Sequence, residues 1–178
     1  TREGTRSRLV PVYMRALLAK GGGLVAPDAN GTLRVTFGSV EGVDARDGLY
    51  YQPQTTLRGI LEKNTGSGDF DAPKREIDAI RALRAGKSTP FADPVLHDVP
   101  VNFLSTVDTT GGNSGSATLN SQGELVGLLF DGTYDTIASD FLYDPVRTRS
   151  IHVDVRYLLW NMADVDGAAN VLEEIGVR

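Results

Sequence analysis

The sequence predicts a mainly β domain with a helix at each end and one inside. Three observations predict it. Short segments that alternate apolar and polar residues recur between clusters of Gly, Asn and Pro. Helical patterning is confined to three stretches, near the start, in the middle and at the end. The chain has 178 residues and is 40% hydrophobic, enough for one domain with a real core.

The elements follow in order. Residues 7–20 (SRLVPVYMRALLAK) read as a helix with Leu9, Val12, Ala16 and Leu17 on one face and basic residues towards its C-terminal end. The glycines at 21–23 stop it. Residues 31–40 (GTLRVTFGSV) alternate Leu33, Val35 and Phe37 and read as a strand, with Gly38 as a bulge. Residues 48–61 read as a strand followed by loop, and 64–73 as a turn-rich loop. Pro73 opens a helix over 74–86, which Gly86 ends. Residues 99–107 (VPVNFLSTV) read as a strand, and 116–131 as a hairpin turning on NSQG. Residues 150–160 read as a strand that becomes continuously apolar, and 163–176 as a closing helix.

Composition excludes several classes. The net charge of −5 gives no basic footprint, so no nucleic-acid partner is expected. The apolar runs fall far short of a membrane span, so no membrane partner is expected either. There is no cysteine, which rules out disulfides and thiolate metal sites. The first twenty residues carry no apolar core with a cleavage site, so no signal peptide is read there.

The chemistry sits in TTGGNSGSATLN, residues 109–120, where Ser114 lies between glycines in a turn joining two strands. Acyl transfer by serine needs an exposed hydroxyl, a base, and donors aimed at the developing oxyanion. Gly112 can turn its N–H into a pocket with no side chain in the way. The N–H groups of Gly112 and Ser114 then form an oxyanion hole. The bland alternative is a polar hairpin turn. The G-x-S-x-G elbow of α/β hydrolases does not fit: Ser116 stands where its second glycine belongs, and the flanks are strands.

The base is what this stretch lacks. The chain has two histidines, His97 and His152. His97 is too close to Ser114 along the chain to come from a separate barrel and reads as a loop residue. His152 alternates within a strand and reads as structural or solvent-facing. The simplest resolution is that the chain is the C-terminal part of a longer protein.

Four motifs in order, DANGTLRVTFGSVEG, YYQPQTTLRGILEKN, TTGGNSGSATLNSQGELVGLLFDG and RSIHVDVRYLLWNM, resemble the bacterial dipeptidyl-peptidases of the type 7 and type 11 group. The likeness runs from about Leu9 to the C-terminus. These are chymotrypsin-like serine exopeptidases with a large helical domain inserted in their catalytic barrels. The resemblance implies the C-terminal, six-stranded-type barrel of a double β-barrel. Residues 1–27 would end the inserted helical domain, 28–160 form the barrel, and 161–178 the C-terminal helix. It also implies that the catalytic histidine and aspartate lie upstream, outside this chain.

Carried over by motif, Ser114 is the nucleophile, and Gly112 and Ser114 supply the oxyanion donors. Asp131 in LLFDG holds the free amino group of the peptide substrate. Gly132 stands where members preferring an acidic P1 residue carry arginine, so the resemblance is to the type 7 enzymes and an apolar P1. Ala117 replaces the proline that commonly ends the serine motif. Asp108, six residues before Ser114, is the candidate S1 base of a trypsin-like endopeptidase with basic P1 preference. A non-catalytic peptide-binding module is the other alternative. The resemblance further implies a periplasmic or exported homodimer, completed by the N-terminal barrel and helical domain of the parent chain. It needs no metal or organic cofactor.

Overall fold

The computed structural model describes residues 2–21, 33–139 and 143–177. The chain divides into two compact units, residues 1–35 and 36–178.

The first unit holds helix α1 (Arg2–Gly21), which begins at Arg2 rather than at residue 7. Glu3 in its first turn and Lys20 in its last suit the helix dipole. Pro11 removes one ladder bond from its middle. Leu9 and Val12, on the expected apolar face, are largely exposed. The glycine stop beyond Gly21 and the boundary expected at 27/28 lie outside the described residues. So do the first two positions of the strand expected over 31–40.

The rest of that strand does not form. Residues 33–39 carry no strand, and the first bridge is Val40 to Ser105, beside a bond from the Thr106 N–H to the Ser39 carbonyl at 3.0 Å. Alternation is present, but Leu33, Val35 and Phe37 are all largely exposed. Gly38 is needed for another reason than a bulge. A Cβ there would come within 2.5 Å of Thr106 Oγ1 and 3.0 Å of the Val107 nitrogen.

In the second unit, β1 (Val43–Arg46) and β2 (Leu49–Tyr51) make a two-stranded antiparallel sheet. A five-stranded sheet follows the order β3-β4-β7-β6-β5, antiparallel throughout. Its strands are β3 (Gln54–Thr56), β4 (Pro100–Ser105), β5 (Ala117–Leu119), β6 (Leu125–Gly132) and β7 (Ser150–Asp154). The closed six-stranded-type barrel does not form among the described residues. The two edge strands, β3 and β5, are three residues each, too short to curl round and pair with one another.

Helices replace two segments expected to be extended or irregular. The loop expected after the strand in 48–61 is α2 (Leu57–Lys63), and the apolar end of 150–160 is α4 (Val155–Trp160). Asp154 caps α4 by accepting from the Arg156 N–H. The helix expected over 74–86 is α3 (Lys74–Arg84). The closing helix is split: a π-helical turn at Asn161–Val165, then α5 (Ala169–Glu174). Gly167, at φ 65°, takes the left-handed conformation that divides them.

Leu57, Ile80, Val99, Val101 and Trp160 form the core, with Ile60, Leu83, Phe91 and Tyr157 packed around them. Tyr157 donates to the buried Glu76 at 2.7 Å, which satisfies an acid inside this cluster. Burial and this bond push the Tyr157 phenol up to about 12.

Arg156 fastens the end of the sheet. Its guanidinium grips Asp154 through two nitrogens, at 3.0 and 2.9 Å, and Asp93 through a third at 2.7 Å. Asp154 is buried. Replacing Arg156 by Ala strands that carboxylate, and a loss of about 3–5 kcal/mol is expected. Urea unfolding of the protein and its R156A variant checks it.

Candidate active site

The serine turn is built by its own hydrogen bonds. The Thr110 N–H donates to Asn113 Oδ1 at 3.0 Å, and the Asn113 N–H to the Thr110 carbonyl at 3.2 Å. Gly112 and Gly115 adopt φ of 98° and 88°, open to glycine and strained for other residues. Two bonds dock the turn on β6: Gly115 N–H to the Leu129 carbonyl at 2.7 Å, and Leu129 N–H to the Ser116 carbonyl at 3.0 Å. Ser114 is left exposed. Among the described residues, neither the Gly112 nor the Ser114 N–H has a hydrogen-bond partner. Two free donors two residues apart are what an oxyanion hole requires.

A cleft of about 320 Å³ joins this turn to the end of β6. Ser114, Asp131 and Gly132 line it, so three of the expected site residues share one wall system. A bulge makes this arrangement. Leu129 pairs with His152, but Asp131 pairs with Ile151, so Phe130 is the extra residue. In a regular strand Asp131 would follow Leu129 to the buried face. The inserted residue turns its carboxylate outward. Asp131 is exposed, not held at a buried edge. Its Oδ1 accepts from the Gly132 N–H at 2.8 Å, which steadies the carboxylate.

The loop before the serine is pinned from beneath. Buried Ser150 donates its hydroxyl to the Val107 carbonyl at 2.9 Å. Its one proton is then used, so Thr109 donates to Ser150 Oγ. Tyr143 donates to the Thr106 carbonyl. Asp108 does not line the cleft. Its N–H donates to Thr36 Oγ1 at 3.1 Å, and partial desolvation pushes its carboxyl above the usual range.

Neither histidine serves Ser114. His97 sits in the turn 93–98, its N–H donating to the Asp93 carbonyl at 2.9 Å. His152 is 2% exposed, which overturns a solvent-facing role. Its Nε2 meets Ser105 Oγ and its Nδ1 meets Thr118 Oγ1, both at 2.7 Å. Its ring stacks on Phe103, centroids 4.7 Å apart. Burial pushes its pKa down to about 4, so it is neutral near pH 7. It is a structural hub with both nitrogens engaged. Among the described residues no group of three or more His, Cys, Asp or Glu could hold a metal ion. No helix there is long and apolar enough to cross a membrane.

Sequence reasoning missed Thr136 and Ile137, from the 3₁₀ turn Tyr134–Ala138, which line the cleft opposite Ser114's turn residues. No local motif marks them; only the fold brings them to Gly132.

A family model described as Peptidase S46 matches residues 1–177. An Asp/Glu-specific dipeptidyl-peptidase of Shewanella putrefaciens is 44% identical over 97% of this chain and 26% of its own length. Dipeptidyl-peptidase 7 of Phocaeicola vulgatus is 37% identical over 85% of this chain and 21% of its own. The crystal structure of Porphyromonas endodontalis DPP11 in complex with the dipeptide Arg-Asp superposes with a TM-score of 0.82 at 36% identity. It covers 93% of this chain and 23% of that one. The chain thus spans about a quarter of the length of these relatives.

Two outcomes are expected. A fluorophosphonate should leave the isolated 178-residue chain unlabelled, since neither histidine reaches Ser114, and mass spectrometry of the treated chain checks this. The second concerns pH. The unfolded chain protonates His152 near 6.5 and the folded chain near 4, so between these values the unfolded state binds more protons. The stability present above pH 6.5 is therefore lost as pH falls towards 4, by up to about 1.4 kcal/mol per pH unit. Asp93, whose hydrogen bonds from the Leu96 N–H and Arg156 hold its carboxyl low, adds its loss only below about its ordinary 3.8. Denaturant unfolding between pH 7 and 4 should show a shallower slope in H152Q.

Proposed function

The chain belongs to the peptidase S46 family, and from that premise we propose that it is the serine-bearing part of a dipeptidyl-peptidase. Such an enzyme releases dipeptides from the free N-termini of peptides. One observation carries the reading: a nucleophile setting and an outward-turned carboxylate share one small cleft.

Ser114 Oγ attacks the carbonyl of the substrate's second peptide bond. Its proton passes to a histidine from the rest of the protein. The Gly112 and Ser114 N–H groups bind the oxyanion. That histidine returns the proton to the leaving amine, and water, deprotonated by the same base, hydrolyses the acyl-enzyme to free the dipeptide and regenerate the Ser114 hydroxyl. Asp131, whose Oδ1 accepts from the Gly132 N–H and whose Oδ2 has no hydrogen-bond partner among the described residues, holds the α-ammonium. That grip measures the substrate from its N-terminus.

For P1, the reading is an apolar side chain. Among the described residues lining the cleft there is no Lys or Arg, and Asp131 is the one charge. An acidic P1 residue would meet no cation there and one like charge. The name of the Shewanella relative, and the Arg-Asp dipeptide held by Porphyromonas endodontalis DPP11, favour the acidic reading instead. A basic-P1 endopeptidase finds less support, because Asp108 stands outside the cleft lining. A non-catalytic peptide-binding module is favoured by the lack of a histidine at Ser114 among the described residues. Export to the periplasm, homodimer formation, and assignment of residues 1–27 to an inserted helical domain belong to the same proposal. They rest on the motif resemblance.

Dipeptidyl coumarin substrates given to the full-length protein test this. Leu at P1 should be cleaved faster than Asp at P1, and N-acetylation should abolish cleavage. D131N should lower kcat/KM by about a hundredfold or more, the scale of a charge-assisted bond lost. Faster cleavage of Asp would establish the acidic reading. Undiminished cleavage of acetylated substrates would overturn the exopeptidase assignment.

A further inference from the structure

Gly132 and Thr136 occupy each other's space. A Cβ built on Gly132 would stand 2.3 Å from Thr136 Oγ1, 2.6 Å from its Cγ2 and 2.8 Å from its Cβ. Both branches of the threonine are therefore folded over the glycine. Neither is a flexible chain end that swings away. Thr136 Oγ1 donates to the Thr133 carbonyl at 2.6 Å, and the Thr136 N–H to the same oxygen at 2.8 Å. Thr133 is itself tied to Arg149, the residue before β7. Its N–H donates to the Arg149 carbonyl at 2.8 Å, and the Arg149 N–H donates to Thr133 Oγ1 at 3.1 Å. Arg149 is buried, its Nε donating to the Gly42 carbonyl at 3.0 Å and Nη1 to Thr148 at 2.7 Å. The threonine is thus locked over Gly132 by a chain of bonds running into the sheet.

We propose that Thr136 is a specificity-determining residue, forming with Gly132 one steric unit that limits the room for the substrate's P1 side chain. The inference rests on the dipeptidyl-peptidase reading above. Both residues line the cleft that holds Ser114. Any side chain at 132 must displace Thr136, so a change at 132 is felt at 136. Conversely, trimming 136 opens the cleft without touching the nucleophile, the oxyanion donors or Asp131. A single methylene in such a pocket changes selectivity by roughly 10–200-fold.

The test uses the full-length protein and dipeptidyl coumarins with Val or Phe at P1. T136A should raise the Phe-to-Val ratio of kcat/KM about tenfold. G132A should lower kcat/KM on both substrates about tenfold, and G132A/T136G should regain most of that loss. Melting temperatures of the cycle formed by the unmodified protein, G132A, T136G and G132A/T136G should show the same non-additivity. An unchanged Phe-to-Val ratio in T136A overturns the specificity role. Independent effects at 132 and 136, in both kcat/KM and Tm, overturn the steric unit. If the unmodified protein releases no dipeptide, the underlying reading fails and the specificity role with it. The melting cycle then still reports on the contact alone.

Discussion

The pairing of β6 with β7 is the constraint on which the site depends. β7 runs through the buried middle of the five-stranded sheet, and β6 is laid on it with one residue to spare. Before the spare residue, Leu129 faces the interior and holds the serine turn through two backbone bonds. After it, Asp131 faces outward and Gly132 stands opposite Ser150. Ser150 in turn fixes the loop that leads to Ser114. A one-residue slip would send Asp131 inward and break the docking of the turn. The bulge therefore sets the direction of the carboxylate relative to the nucleophile, and no side-chain contact between them is needed.

β7 inverts the usual rule for a half-buried strand. Ile151 and Val153 are only half-buried, while Ser150, His152 and Asp154 are turned fully inward. Such burial is costly unless every polar atom finds a partner. Each does so on a different element. Ser150 bonds the loop at Val107, His152 bonds β4 and β5, and Asp154 bonds Arg156. The polar face works as a set of cross-ties, joining segments that are short and otherwise weakly held. Among the described residues the sheet does not close on itself, so these ties supply part of the lateral restraint that closure gives a barrel.

This inversion explains much of what the sequence did and did not disclose. The central strand over 99–107, the hairpin over 116–131 and the helix after Pro73 were legible because period and turn chemistry agree there. The helices at Leu57 and Val155 were not. Each follows a strand without a glycine or proline break, and each is too short to display a helical period. The alternation over 33–37 was real, but no strand forms over those residues. Ser114, Asp131 and Gly132 were legible through the motif they share with a known family. The bulge at Phe130 was not, since LLFDG reads the same with or without an extra residue. Nor was Thr136, whose meaning comes from standing over a glycine four residues earlier.

The distribution of functions within the site has a chemical consequence. On the proposed roles, the oxyanion donors and the carboxylate that meets the substrate's ammonium hang on the end of β6 and the serine turn docked on it, fixed by backbone bonds and glycine geometry. The proton acceptor does not: His152 is spent on structure, with both nitrogens engaged, and His97 sits in the turn 93–98. A lone serine hydroxyl at neutral pH is a poor nucleophile, and its activation by a base is a separate requirement from its placement. In the proposed enzyme, the end of β6 therefore contributes to substrate selection, whereas turnover requires a base that neither histidine of this chain supplies. Changes at Asp131, Gly132 or Thr136 can alter which peptide is held without disturbing proton transfer. Changes in the delivery of the base alter rate without altering choice. On that proposal, one serine platform would be tuned for different P1 residues by substitutions at the end of β6 and the turn that follows it.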